Sequence, residues 1–79
     1  MNCLIENIDR LHTTEMGVER IKRNLQIETN DIVAWCRVRI LDKDAKIERH
    51  GKNWYVTVDG CKITVNAHSY TIITAHSVK

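Results

Sequence analysis

The stretch GKNWYVTVDGCKITVNAHSYTIITAH, residues 51–76, decides the fold. Its apolar residues recur at every second position, the period of a strand with one face in a core. Asp59-Gly60 and Gly51-Lys52 are tight-turn pairs, because glycine supplies the positive backbone angle that hairpins need. The run Ala67-His68-Ser69 reads as a short loop. With KIERH upstream, the pattern predicts strands at about 46–50, 53–59, 61–66 and 70–76, joined as an antiparallel meander. Strict alternation puts Ile47, Trp54, Val56, Val58, Cys61, Ile63, Val65, Thr71, Ile73 and Ala75 on one face. Lys46, Glu48, His50, Tyr55, Thr57, Asp59, Lys62, Thr64, Asn66, Tyr70, Ile72, Thr74 and His76 fall on the other. That second face is too polar to be buried, since so many ionisable groups would lose more on desolvation than their hydrogen bonds return.

Before residue 46 the period is helical. Leu4, Ile5, Ile8 and Leu11 predict a helix over about 2–11. Thr13 or Thr14 caps a second over about 15–25, with Val18, Ile21 and Leu25 as its apolar stripe. Asn30 or Asp31 caps a third over about 31–41, which turns Ile32, Val33, Cys36 and Ile40 inward. The expected fold is α+β, with three N-terminal helices packed on one face of a four-stranded antiparallel sheet.

At 79 residues the chain has room for one core, and it contains no proline and no linker-like segment. Its 43% hydrophobic and 28% charged residues exclude intrinsic disorder. The opening MNCLIENIDRL mixes acidic residues among apolar ones, so it reads neither as a secretory signal nor as a membrane span, and a cytoplasmic protein is expected. Cys3, Cys36 and Cys61 are odd in number and widely spaced, which fits small buried hydrophobes better than a disulfide framework or a thiolate zinc site. A formal net charge of +2 permits a polyanionic partner without requiring one.

The polar sheet face carries the candidate chemistry. The plain alternative is that its side chains are only solvated. Against that, His50 and His76 titrate near neutrality, Glu48 stands two residues from His50, and Tyr55 and Tyr70 offer phenolic donors and flat faces. These are the parts of a metal-independent ribonuclease. Glu48 or His50 would take the proton of a ribose 2′-hydroxyl, His76 would protonate the leaving 5′-oxygen, and Lys46 and Arg49 would hold the phosphate. Tyr70 and Thr74 complete the catalytic set. Lys52, Tyr55 and Lys62 are expected to contact RNA, and Arg20 and Arg23 to touch phosphates without reading sequence. Arg49 falls on the core parity and must bend out to take part. His12 is read as a helix-boundary packing group and His68 as an exposed turn residue. His50, His68, His76 and Glu48 lack tight ligand spacing, so neither metal nor cofactor is expected. Trp35 and Trp54 read as core or rim packing.

The blocks HTTEMGVERIKRNL, IVAWC and GKNWYVTVDGCKITVNAHSYTIITAH, spanning about His12 to His76, resemble a family of very short bacterial and mobile-element proteins known only as a domain of unknown function. The order of His12, basic helix, second helix, meander and terminal TIITAH is more distantly similar to the RelE and Barnase–EndoU–colicin group of RNA-cleaving toxins. That likeness implies an active sheet face holding Tyr70, Thr74 and His76, and it adds weight to His12. The last strand departs from the toxins in having no arginine. The leading expectation is a small RNA-binding protein acting as a metal-independent, toxin-like endoribonuclease that cleaves structured RNA. The alternative is a phage- or plasmid-type inhibitor of a host defence nuclease, such as an anti-CRISPR protein, and a third reading is a homodimer joined through the sheet.

Overall fold

Helix boundaries follow local hydrogen-bond chemistry. In the computed structural model, which describes residues 3–78, the first apolar segment forms not one helix but a single α-helical turn, α1 (Cys3–Glu6), and a 3-10 turn at Ile8–Arg10. Asn7 and Asp9 interrupt it, since their short polar side chains compete with the helical backbone. The expected start at residue 2 and the side chain of Cys3 lie outside the described residues. Helix α2 (Glu15–Leu25) begins where the Thr14 hydroxyl accepts from the Gly17 amide and ends at Gln26 in the left-handed conformation, φ 53°. Helix α3 (Ile32–Ile40) is capped by Asp31, whose carboxylate accepts from the Ala34 amide at 2.9 Å.

Strands β1 (Lys46–His50), β2 (Asn53–Val58), β3 (Cys61–Asn66) and β4 (Ile72–Ser77) form one antiparallel sheet in the order β1-β2-β3-β4. Gly51 and Gly60 turn the first two hairpins at φ 60° and 75°, angles that a side chain rarely adopts. The molecule is therefore α+β with a four-stranded meander. Leu4, Leu11, Ile21, Ile32, Cys36 and Ile40 share one buried cluster with Trp54, Val56, Val58, Cys61, Ile63 and Val65 of β2 and β3. Along β2 burial alternates residue by residue, as half-burial of a sheet requires.

Strand β4 departs from strict alternation. Thr64 pairs with Thr74 but Val65 pairs with Ile72, so Ile73 is an extra residue, a bulge. The bulge reverses the facing of everything before it: Ile72 is buried with Ala75, while Ile73 is half-buried. Tyr70, expected on the polar face, is 8% exposed and belongs to the core. It adopts the left-handed conformation, φ 60°, so the strand starts at Ile72, two residues later than the alternation implies.

The two sheet edges are treated differently. Beside β4, the His12 carbonyl accepts from the Ile72 amide at 2.7 Å, the Thr13 hydroxyl donates to the Ile72 carbonyl at 2.9 Å, and Asn24 Nδ2 donates to the Ala75 carbonyl at 3.2 Å. Helix α2 and the segment leading into it thus occupy that edge. Among the described residues no comparable hydrogen bonds flank the outer edge of β1, and four of its five residues are exposed.

Close approach of α2 to β4 depends on Gly17. A Cβ there would collide with Thr13 Oγ1 and lie 3.4 Å from the Ile72 carbonyl oxygen. Thr13 is tethered to that same carbonyl and cannot swing away without losing a bond. Gly17→Ala is expected to destabilise the fold by about 1–3 kcal/mol through overpacking, although alanine favours an isolated helix by about 1 kcal/mol. A urea midpoint at or above that of wild type would contradict this.

Candidate nucleic-acid interface

The register arranges the parity opposite the core in rows across the sheet. Lys46, Thr57, Lys62 and His76 form one row, and Glu48, Tyr55, Thr64 and Thr74 form the next. A third begins with His50, Asn53 and Asn66.

At the β1 side of these rows several of the expected residues meet. Glu48 stands between Lys46 and His50 on its own strand, with Oε1 3.8 Å from Lys46 Nζ and Oε2 3.6 Å from His50 Nε2. All three side chains are well exposed, so these pairs contribute at most about 1 kcal/mol each and leave the groups available to a ligand. The Tyr55 ring lies 5.8 Å from the His50 ring, tilted by 56°, and its centroid is 5.7 Å from Lys62 Nζ. Its hydroxyl accepts from Asn53 Nδ2 at 3.5 Å. Strand pairing thus assembles Lys46, Glu48, His50, Tyr55 and Lys62, drawn from three strands, around one half-buried ring.

The remaining candidates do not join this group. His76 is exposed and sits across from Lys62 on β4. Three strand spacings, about 14 Å, separate β4 from β1, so His76 and Glu48 cannot serve one phosphate as acid and base. The Thr74 hydroxyl accepts from Asn24 Nδ2 at 3.4 Å and is engaged with α2. Tyr70 is held inside, its ring centroid 5.4 Å from that of Trp54 and 4.5 Å from Arg10 Cζ. Arg49 stays on the core parity, with Cζ 5.4 Å from the Trp54 ring centroid and Nε donating to the Gly51 carbonyl at 2.9 Å. Lys52 is an exposed residue of the β1–β2 turn. Arg20 and Arg23 are exposed on α2, and Arg20 falls between Gly17 and Asn24 on the helix row that meets β4.

One arrangement had no sequence signal. His12 Nδ1 lies 2.9 Å from the Arg10 carbonyl, and its Nε2 lies 3.0 Å from Thr71 Oγ1. Thr71 Oγ1 is 2.7 Å from Ser69 Oγ, which donates to Asn66 Oδ1 at 3.2 Å. A carbonyl only accepts, so Nδ1 is the donor in the contact with Arg10. Together with the parallel bridge between His12 and Thr71, this chain fastens the entry to α2 onto the start of β4. The tethered residues are 59 positions apart, beyond the reach of periodicity.

Both described thiols are buried, and burial favours their neutral form. Burial pushes Cys36 up to about 12, with Cys61 adding to the shift and Arg39 opposing it. Cys61 is raised chiefly by burial, against the pull of Arg39 and with the help of Asp59. Among the described residues no group of three or more His, Cys, Asp or Glu is arranged to hold a metal, and no helix is long and apolar enough to cross a membrane.

Compared with known proteins, residues 5–76 match the model of a family described as Protein of unknown function (DUF3781). No curated protein and no solved structure matches the chain, so the likeness to RNA-cleaving toxins gains no support from either.

Proposed function

We propose, for a chain that belongs to the DUF3781 family, that it binds single-stranded RNA on the sheet face opposite the core. The reading requires the helices to back one face of the sheet and leave the other open. It is supported by the alternating burial of β2 and by the helical residues that share a cluster with its buried positions. The observation that carries it is the Tyr55 ring with a lysine and a histidine beside it, within rows that also hold Lys46 and His76. RNA recognition on sheets uses an aromatic face for an unstacked base and flanking cations for phosphates.

Cleavage would use the same place. Glu48 would accept the proton of the 2′-hydroxyl as that oxygen attacks phosphorus, and the 5′-oxygen would leave with a proton from the imidazolium of His50. The products would be a 2′,3′-cyclic phosphate and a free 5′-hydroxyl, with Lys46 and Lys62 stabilising the charge on phosphorus. His50 takes the acid role here because it adjoins Glu48 and His76 does not.

Labelled single-stranded RNA with EDTA present tests both parts. Tyr55→Ala should weaken binding by about 1–3 kcal/mol, and Lys62→Ala should lower the slope of log affinity against log salt by about one. Glu48→Gln should abolish any cleavage and leave binding in place. Wild-type affinity in both binding variants, or no RNA binding at low salt, would rule out this surface.

A further inference from the structure

On the core parity the structure holds a feature independent of the RNA reading. A cleft of about 510 Å³ opens where the end of α2, the side of α3 and the β2–β3 turn converge, lined among others by Leu25, Gln26, Trp35, Arg39, Asp59 and Cys61. That volume is within the range of small-molecule sites.

Arg39 gives the cleft its chemistry. Its Cζ lies 4.3 Å from the Trp35 ring centroid, so one π-face of the guanidinium is taken up by the indole while its N–H donors point sideways in the plane. Its Nε, like that of Arg37 outside the cleft, is buried and has no hydrogen-bond partner among the described residues. Buried donors almost always have an acceptor, and a guanidinium presented edge-on is suited to a planar oxyanion held by paired hydrogen bonds. Leu25 and Trp35 give the cleft apolar wall. Asp59, in the left-handed conformation at φ 51° on the β2–β3 turn, brings a carboxylate to the same cleft. Asp59 disfavours a ligand of high negative charge and accepts a hydroxyl or amino donor. Cys61, kept neutral by burial and donating to the Val58 carbonyl at 3.0 Å, adds no competing charge.

We infer that this cleft is a binding site for a small planar aromatic monoanion, its carboxylate on Arg39, its ring against Trp35 and Leu25, and a donor group toward Asp59. The carboxylate pairs with the Arg39 guanidinium, and the ring covers the half-buried indole.

The test titrates ¹⁵N-labelled full-length protein with 4-hydroxybenzoate, with the neutral isostere 4-hydroxybenzamide, and with inorganic phosphate. Saturable shifts of the Trp35 indole N–H and of the Gln26 and Gly60 amides are expected with 4-hydroxybenzoate alone. Arg39→Gln should weaken that binding by about tenfold or more, the loss of a charge-assisted hydrogen bond, and Arg39→Lys should fall between. The rest of the spectrum reports whether each variant is folded, and the comparison of acid with amide on wild type needs no variant. Three outcomes overturn the proposal: no saturable shift at these positions up to about 10 mM ligand, equal affinity for the amide, or unchanged affinity in folded Arg39→Gln.

Discussion

Ile72→Ala lowers the free energy of unfolding by about 2–5 kcal/mol, whereas Ile73→Ala, one residue further, lowers it by no more than about 1 kcal/mol. The ordering follows from the bulge. Ile72 is 1% exposed, opposite Val65 in the core cluster, and its removal leaves a void that Val65 and Tyr70 cannot close without moving. Ile73 is half-buried and has no partner in the register. A chain of this size is stable by only about 4–12 kcal/mol, so the first substitution removes a large part of the margin. Urea unfolding with unchanged slope checks it. Equal losses, or a larger loss at Ile73, would mean that β4 alternates without interruption and that Tyr70 points outward.

The second large effect is at Tyr70. Tyr70→Ala is expected to cost about 3–5 kcal/mol, because the ring fills core space against Trp54 and beneath Arg10. Tyr70→Phe keeps the ring and should cost under about 1 kcal/mol. The pair separates a structural role from a chemical one. A catalytic phenol would be lost in both variants, whereas a packing residue leaves Tyr70→Phe with wild-type behaviour toward RNA. Thermal unfolding followed by circular dichroism, alongside the RNA assay, reads both quantities. An inactive but fully stable Tyr70→Phe would return Tyr70 to the catalytic set.

The same strand shows how far sequence pattern reaches in this molecule. The change from helical to alternating period, the Asp59-Gly60 turn and the hydroxyl and carboxylate caps at Thr14 and Asp31 are local signals, and each marks the element it should. The strand register brings Lys46, Glu48, His50, Tyr55 and Lys62 together as the period of two implies, although Thr64 of β3, on the parity read as open, is 8% exposed and buried. The meander order separates His76 from Glu48, which the sequence reading pairs as acid and base. The bulge was not legible. Ile72 and Ile73 are the same residue type, and what decides between them is the left-handed turn at Tyr70 and the bridge from Thr71 to His12, set by contacts from the other end of the chain. The division of the first apolar segment into two short turns had a local cause in Asn7 and Asp9, outweighed in the sequence reading by apolar spacing. The Arg39 cleft had no linear signature, because its walls come from four separated segments.

The unequal sheet edges limit how copies of this protein can associate. With β4 covered at Ile72 and Ala75 by His12, Thr13 and Asn24, β1 is the more open edge among the described residues. Strand addition between two molecules would join β1 to β1 about a two-fold axis, and such a contact closes on itself as an eight-stranded pair.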